Sequence, residues 1–171
     1  MQLLVIRHAI AEDKEVFARS GRDDDLRPLT ENGRDKMRRA ARGLREVAPP
    51  VSVLATSPLV RARETAEIVM PALSIERAET VEALRPDGDY DELLTWLREQ
   101  STDDEGDAIA IVGHEPQLSG FVTWLMSATS SSRVELKKGG ACLLDLSDEP
   151  RAGKAVLRWA LTPSQLRRLG E

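Results

Sequence analysis

Two short, uninterrupted apolar runs, Leu3-Leu4-Val5-Ile6 and Ala108-Ile109-Ala110-Ile111-Val112, punctuate the chain, and Val51 to Thr56 reads the same way less cleanly. Runs of this length without polar alternation are expected of strands covered on both faces. Between them the hydrophobic spacing turns helical. Met37, Ala40, Ala41, Leu44 and Ala48 lie on one face, the arginines among them form a solvated face, and Thr30 is placed to cap the start. A second helix is predicted from Val60 to Met70, stopping near Pro71. Leu93, Leu94 and Leu97 suggest a third, and Leu118, Phe121, Val122, Leu125 and Met126 a fourth. Thr162-Pro163-Ser164-Gln165 has the form of a capping box with proline at the first helical position, so a short final helix follows it. Leu143-Leu144 and Val156 to Leu161 read as strands separated by a turn-rich stretch from Ser147 to Gly153, a hairpin added to the sheet. Ala11 to Pro28, Glu99 to Asp107 and Ser127 to Arg133 are expected to be loops, with Asp103-Asp104-Glu105 a solvated one. There is no internal repeat and no low-complexity tract. Strands alternating with helices on short links imply an α/β three-layer sandwich, a largely parallel central sheet with helices on both faces. The pattern does not set the strand order.

Composition narrows the class. At 171 residues a single domain spanning 1–171 is expected, large enough to bury a core. Lysine and arginine number 24 against 29 acidic residues, a net charge of −5. That argues against a general nucleic-acid or anionic-membrane surface and leaves room for a local basic pocket. One cysteine, Cys142, excludes an internal disulfide and a cysteine-rich zinc site, and fits a reducing, cytoplasmic compartment. Cys142 itself reads as a small buried apolar residue, and Trp96, Trp124 and Trp159 as packing residues. Met1 to Ile6 run straight into Arg7-His8 with no basic n-region or cleavage site, so no signal peptide is expected. No apolar run approaches about 20 residues, so no membrane span is expected either.

The candidate chemistry lies at the strand ends. In open α/β sheets ligands bind beyond the carboxyl ends of the strands. The three apolar runs end in Arg7-His8, Thr56-Ser57-Pro58 and Gly113-His114-Glu115, so both histidines of the protein directly follow buried strands. Arg7 adjoins His8, Arg61 opens the helix after Ser57-Pro58, and Arg27 closes the first loop. The forked donors of arginine match phosphate oxygens, and a helix start adds favourable dipole charge. Converging arginines and histidines imply a phosphoryl site.

These residues fall in recognisable motifs. Leu4-Val5-Ile6-Arg7-His8-Ala9 resembles the Arg-His-Gly signature of the histidine phosphatase superfamily. Arg27-Pro28-Leu29-Thr30-Glu31-Asn32-Gly33 is similar to its R-x-L-T-x-x-G segment. Ser57 to Ala66 is similar to S-P-x-x-R-A-x-x-T-A, and Val112-Gly113-His114-Glu115-Pro116 to the second-histidine motif. The motifs come in family order over residues 3 to about 126, and the compact length and Arg-Pro-Leu-Thr form most resemble the SixA-type phosphohistidine phosphatases. Ala9 stands where the signature usually has glycine, at some loss of backbone freedom.

The resemblance implies a metal-independent phosphatase without cofactor. His8 would be the nucleophile, forming a phosphohistidine that water hydrolyses. Arg7, Arg61 and His114 would hold the phosphoryl oxygens, with Arg27 and Ser57 as further substrate contacts. Glu82 is the candidate general acid by position, and Asp13, Asp23, Asp24, Asp25 and Glu115 remain open for that role. Alkoxide leaving groups need a proton, whereas an imidazole has a reference pKa near 6.5 and leaves with little help. An unassigned acid and short links over the site therefore favour phosphohistidine on a signalling protein, such as a histidine phosphotransfer domain. The alternatives are a small phosphate ester as substrate or a non-catalytic phosphate-binding module. Lys137-Lys138-Gly139-Gly140 reads as a turn with a chance of contacting an acidic partner.

Overall fold

The computed structural model describes residues 1–100 and 107–171. Six strands form one sheet: β1 (Gln2–Arg7), β2 (Val51–Thr56), β3 (Glu79–Thr80), β4 (Ala108–Gly113), β5 (Ala141–Asp145) and β6 (Val156–Leu161), in the order β3-β2-β4-β1-β5-β6. The first four run parallel. The β5–β6 hairpin then extends the sheet antiparallel beyond β1. The α/β sandwich expected from the apolar runs is the fold observed.

The side-chain alternation of the central strands divides the core between the two faces. Leu3, Val5, Ile109 and Ile111 pack against α4 (Tyr90–Glu99) and α5 (Gln117–Ser127). Leu4, Ile6, Ala110 and Val112 pack against α2 (Glu31–Val47), α3 (Val60–Val69) and α6 (Pro163–Leu169). Burial on both faces is why β1 and β4 are continuous apolar runs. Thr30 caps α2 by accepting from the Gly33 amide at 2.9 Å. The capping box at Thr162 and Gln165 is complete, with Pro163 behind it. Trp96, Trp124 and Trp159 are partly buried against the core, and Cys142 is buried, its thiol pushed up to about 12 by burial. No helix of the described residues is long and apolar enough to cross a membrane.

Two expectations are corrected and one strand is added. The stretch expected to be a loop from Ala11 to Pro28 carries the helix α1 (Lys14–Ala18), capped by Asp13, and a 3-10 turn at Asp24–Leu26, and Ala11 bridges to Leu29. Five helical residues are too few to establish a period in the sequence. β3 also went unread, because its two residues are exposed and carry no apolar signal. The second helix ends at Val69, with Met70 as its C-cap. Asp103, Asp104 and Glu105 lie outside the described residues.

One glycine holds the segment after β1 against α2. A Cβ on Gly33 would stand 2.1 Å from the Ile10 carbonyl oxygen. That oxygen accepts from the Thr30 amide at 3.0 Å, so it cannot retreat without breaking the start of α2. Gly33→Ala is expected to destabilise the protein by about 2 kcal/mol or more, read as a lower denaturant midpoint at unchanged slope.

Candidate phosphoryl site

Strand register brings the two histidines together. β1 and β4 are parallel neighbours with Arg7 opposite Gly113, so the next residues, His8 and His114, leave the sheet side by side. Their rings lie 5.0 Å apart at 53°. The His8 amide donates to the Gly113 carbonyl at 3.0 Å, and the Ser57 amide to that of Val112 at 3.0 Å. Three strand ends are thus laced together. His8 is 6% exposed, His114 2% and Ser57 0%.

Each ring has a defined neighbour. His8 Nδ1 lies 2.7 Å from the Ala9 carbonyl oxygen. A carbonyl only accepts, so Nδ1 carries the proton and the lone pair is on Nε2. Nε2 makes no hydrogen bond among the described residues. His114 Nε2 meets the Ser57 hydroxyl at 2.8 Å, and its Nδ1 is buried without a partner. Burial pulls His8 down to about 3. The hydrogen bond to Ala9 opposes this, and the charges of Arg61, Arg7 and Lys138 reinforce it. Burial, then His8 and the charges of Arg61, Arg27 and Arg7, pulls His114 down to about 2. Both rings are neutral at pH 7.

The arginines converge on this pair. Arg61, 4% exposed, donates from Nη1 to the Asp24 carbonyl at 3.0 Å, and its Nη2 lies 3.3 Å from the Asp24 carboxylate. Arg27 binds the other Asp24 oxygen through Nε at 2.8 Å and the Glu12 carbonyl through Nη1 at 2.8 Å. Arg7 is anchored by the Leu136 carbonyl at 2.7 Å. Burial lowers the pKa of Arg7 and of Arg61. Glu115 and Glu135 counter this at Arg7, while Arg27 reinforces it and Asp24 and Asp25 counter it at Arg61. Arg7 Nε, Arg61 Nε and His114 Nδ1 are buried polar atoms with no hydrogen-bond partner. Three such atoms in one cluster suit a ligand rich in acceptor oxygens.

The carboxylates expected as acid candidates part company here. Glu82 opens a 3-10 turn with its side chain 76% exposed, 4.0 Å from Arg85. Arg85 pairs with Asp25 at 2.7 Å, so Glu82 belongs to the rim. Asp13 and Asp23 cap the starts of α1 and the 3-10 turn that follows. Glu115 accepts from the Ser119 amide at 2.9 Å. Asp24 is the carboxylate that touches both Arg27 and Arg61, and the hydrogen bond from Arg27 holds it below the usual carboxylate range, so it stays ionised. Ser57, expected at the substrate, has its hydroxyl on His114 and on the Leu59 amide at 3.3 Å.

Two residues with roles in the site were missed in the sequence reading although they lie inside a matched motif. Thr65 Oγ1 accepts from the Ala9 amide at 3.0 Å and donates to the Arg61 carbonyl at 2.7 Å, tying the segment after His8 to α3. Glu64 accepts from the Leu29 amide at 2.6 Å and from Arg34 at 2.7 Å, tying α3 to the segment that carries Arg27. Their fixed places after Arg61 were the available signal. Ala9 sits at negative φ, so the glycine usual at that position is not needed for backbone freedom.

Residues 3–86 match the family model of the histidine phosphatase superfamily (branch 1). An uncharacterized protein of Picosynechococcus sp. is 31% identical over 140 residues, covering 82% of each chain. The phosphohistidine phosphatase SixA of Escherichia coli K12 is 28% identical over 169 residues, 98% of this chain and 97% of that one. Among solved structures, that of the protein histidine phosphatase SixA complexed with tungstate superposes with a TM-score of 0.81 at 24% identity, covering 97% of this chain and 99% of that one. With its motifs in order and its histidines and arginines gathered at one sheet edge, the chain belongs to the histidine phosphatase superfamily.

Proposed function

We propose that this chain is a metal-independent phosphatase working as one domain, with phosphohistidine on a cytoplasmic signalling protein as its substrate. The observation that carries the reading is the state of His8. It is neutral, its Nδ1 is committed to the Ala9 carbonyl, and its lone pair is on Nε2 beside Arg7, Arg61 and His114. A nucleophile at phosphorus needs that tautomer held in that orientation.

In the first step His8 Nε2 forms a bond to phosphorus while the bond to the leaving nitrogen breaks. In the second, water attacks the phosphohistidine and releases inorganic phosphate, and Nε2 regains its lone pair. Arg7, Arg61 and His114 hold the phosphoryl oxygens, with Arg27 behind them, and neutralise charge as it spreads in transfer. Ser57 orients His114: a hydroxyl donating to Nε2 leaves Nδ1–H for a phosphoryl oxygen. Glu82 would act only through movement of the rim, since its carboxylate faces solvent. An imidazole leaving group fits a site whose inner carboxylate, Asp24, is ionised. The SixA relatives, named for phosphohistidine or protein histidine phosphatase activity, support the same substrate class.

Turnover of a histidine-phosphorylated phosphotransfer domain and of sugar phosphates, measured in parallel, tests the substrate. The phosphoprotein is expected to be preferred, and preference for the sugar phosphates would make this a small-molecule phosphomonoesterase. His8→Ala should lower kcat by roughly a thousandfold or more. Acid-labile phosphate should be trapped on the wild type at His8. Retained activity in the variant would overturn the mechanism, and a wild type with neither turnover nor trapped phosphate would be a phosphate-binding module. The arginines supply the positive charge, so a chelator is expected to leave the rate unchanged. Loss restored by a divalent ion would overturn that expectation.

The depressed histidines also set a dependence of stability on pH. Unfolded, both titrate near 6.5; folded, they titrate at about 3 and 2. Between those values the unfolded chain binds more protons, so their contribution is full above about 6.5 and is lost as pH falls. Each contributes a slope approaching about 1.4 kcal/mol per pH unit. Denaturant midpoints between pH 7 and 5 should fall less in His8→Asn and His114→Asn than in the wild type. Equal slopes would show that the rings are not held neutral.

A further inference from the structure

Next to the segment that follows His8 the surface holds a small cavity that the phosphoryl chemistry does not use. It has a volume of about 190 Å³. Ala9, Met37 and Pro163 contribute to an apolar floor, while Lys36, Lys138 and Arg167 stand around it. No acidic residue lines it, and none of the three cations makes an ion pair among the described residues. In a chain of net charge −5, these three cations stand together at one opening, whereas Arg34, Arg38 and Arg39 on α2 are paired.

The cavity is fixed to the site. Ala9, the residue after His8, forms part of its wall. Lys138 is carried by a turn whose Gly139, at φ +79°, donates its amide to the Arg7 and His8 carbonyls, both at 3.1 Å. The Arg7 amide in turn donates to the Gly140 carbonyl at 3.0 Å. A group seated among these cations is therefore held at a set place relative to the His8 ring. The volume is below the roughly 300–1,000 Å³ of small-molecule sites and is of the scale of a single side chain.

We propose that this cavity is a docking subsite for an acidic side chain of the phosphorylated protein, presented next to the residue that carries the phosphoryl group. The proposal rests on the reading of the chain as a phosphatase acting on a protein. The apolar floor takes the methylene stem of an aspartate or glutamate, and Lys36, Lys138 and Arg167 meet its carboxylate. Unpaired cations beside a reaction centre also speed encounter with an acidic partner, an effect that salt weakens. A small phosphoramidate has nothing to place there. The subsite thus selects proteins over small substrates and sets which face of the protein meets His8.

The test is the double variant Lys36→Glu/Arg167→Glu, assayed on an acidic histidine-phosphorylated phosphotransfer domain and on phosphoramidate. KM for the phosphoprotein is expected to rise about tenfold with little change in kcat, and the salt dependence of kcat/KM to flatten. Hydrolysis of phosphoramidate should be unchanged, which also reports that the variant is folded. The charge-conserving pair Lys36→Arg/Arg167→Lys should behave as the wild type. An unchanged KM for the phosphoprotein in the glutamate variant would overturn the subsite, as would an equal loss on both substrates. If the wild type hydrolyses phosphoramidate but no phosphohistidine protein, the functional reading fails, and the subsite with it.

Discussion

The parallel pairing of β1 with β4 is the constraint from which the site follows. The register sets Arg7 opposite Gly113, and every later contact depends on it. A slip of β1 by one residue would exchange Leu3 and Val5 with Leu4 and Ile6 between two differently packed faces, so the fit of the core on each face holds the alignment that puts His8 beside His114. The buried strands thereby position the histidines with the stiffness of the core. Thr65 and Gly33 extend that stiffness into the segment after His8: one bonds the Ala9 amide, and the other lets the Ile10 carbonyl lie against α2.

Charge is organised against the same frame. Two arginines with lowered pKa and two neutral histidines form a pocket inside an acidic protein. Burying a guanidinium is costly unless its donors are met. Here the Leu136 carbonyl meets one donor of Arg7, and the Asp24 carbonyl and carboxylate meet two of Arg61. Buried without a partner are the Nε atoms of Arg7 and Arg61 and Nδ1 of His114. The fold holds these groups in place through bonds that lead away from the pocket, which preorganises the unpaired ones.

Much of this was legible in the sequence because the central strands and the main helices announce themselves by period and the motif residues sit at strand ends. His8, His114, Arg7, Arg61 and Arg27 are gathered as expected. The failures have physical causes. α1 has five residues, too short for a period, and β3 has two exposed ones. Ser57 was legible as a residue of the site but not as the partner of His114, since a side-chain rotamer leaves no trace in sequence spacing. Glu82 followed from position alone, and position could not reveal that its carboxylate lies outward beside Arg85.

The distribution of carboxylates is what connects the geometry to a choice of leaving group. Asp13 and Asp23 cap helical turns, Asp25 holds Arg85, and Asp24 holds two arginines. Each is thus committed to a structural bond, and at Asp24 the hydrogen bond from Arg27 favours the ionised form. An ionised carboxylate cannot donate a proton to an alkoxide as it departs. A phosphorus–nitrogen bond to imidazole makes no such demand, because the departing ring is already a competent leaving group near neutral pH. The same bonds that build the arginine cluster therefore remove its nearest candidate acid, and the selectivity proposed for this site follows from how its arginines are held.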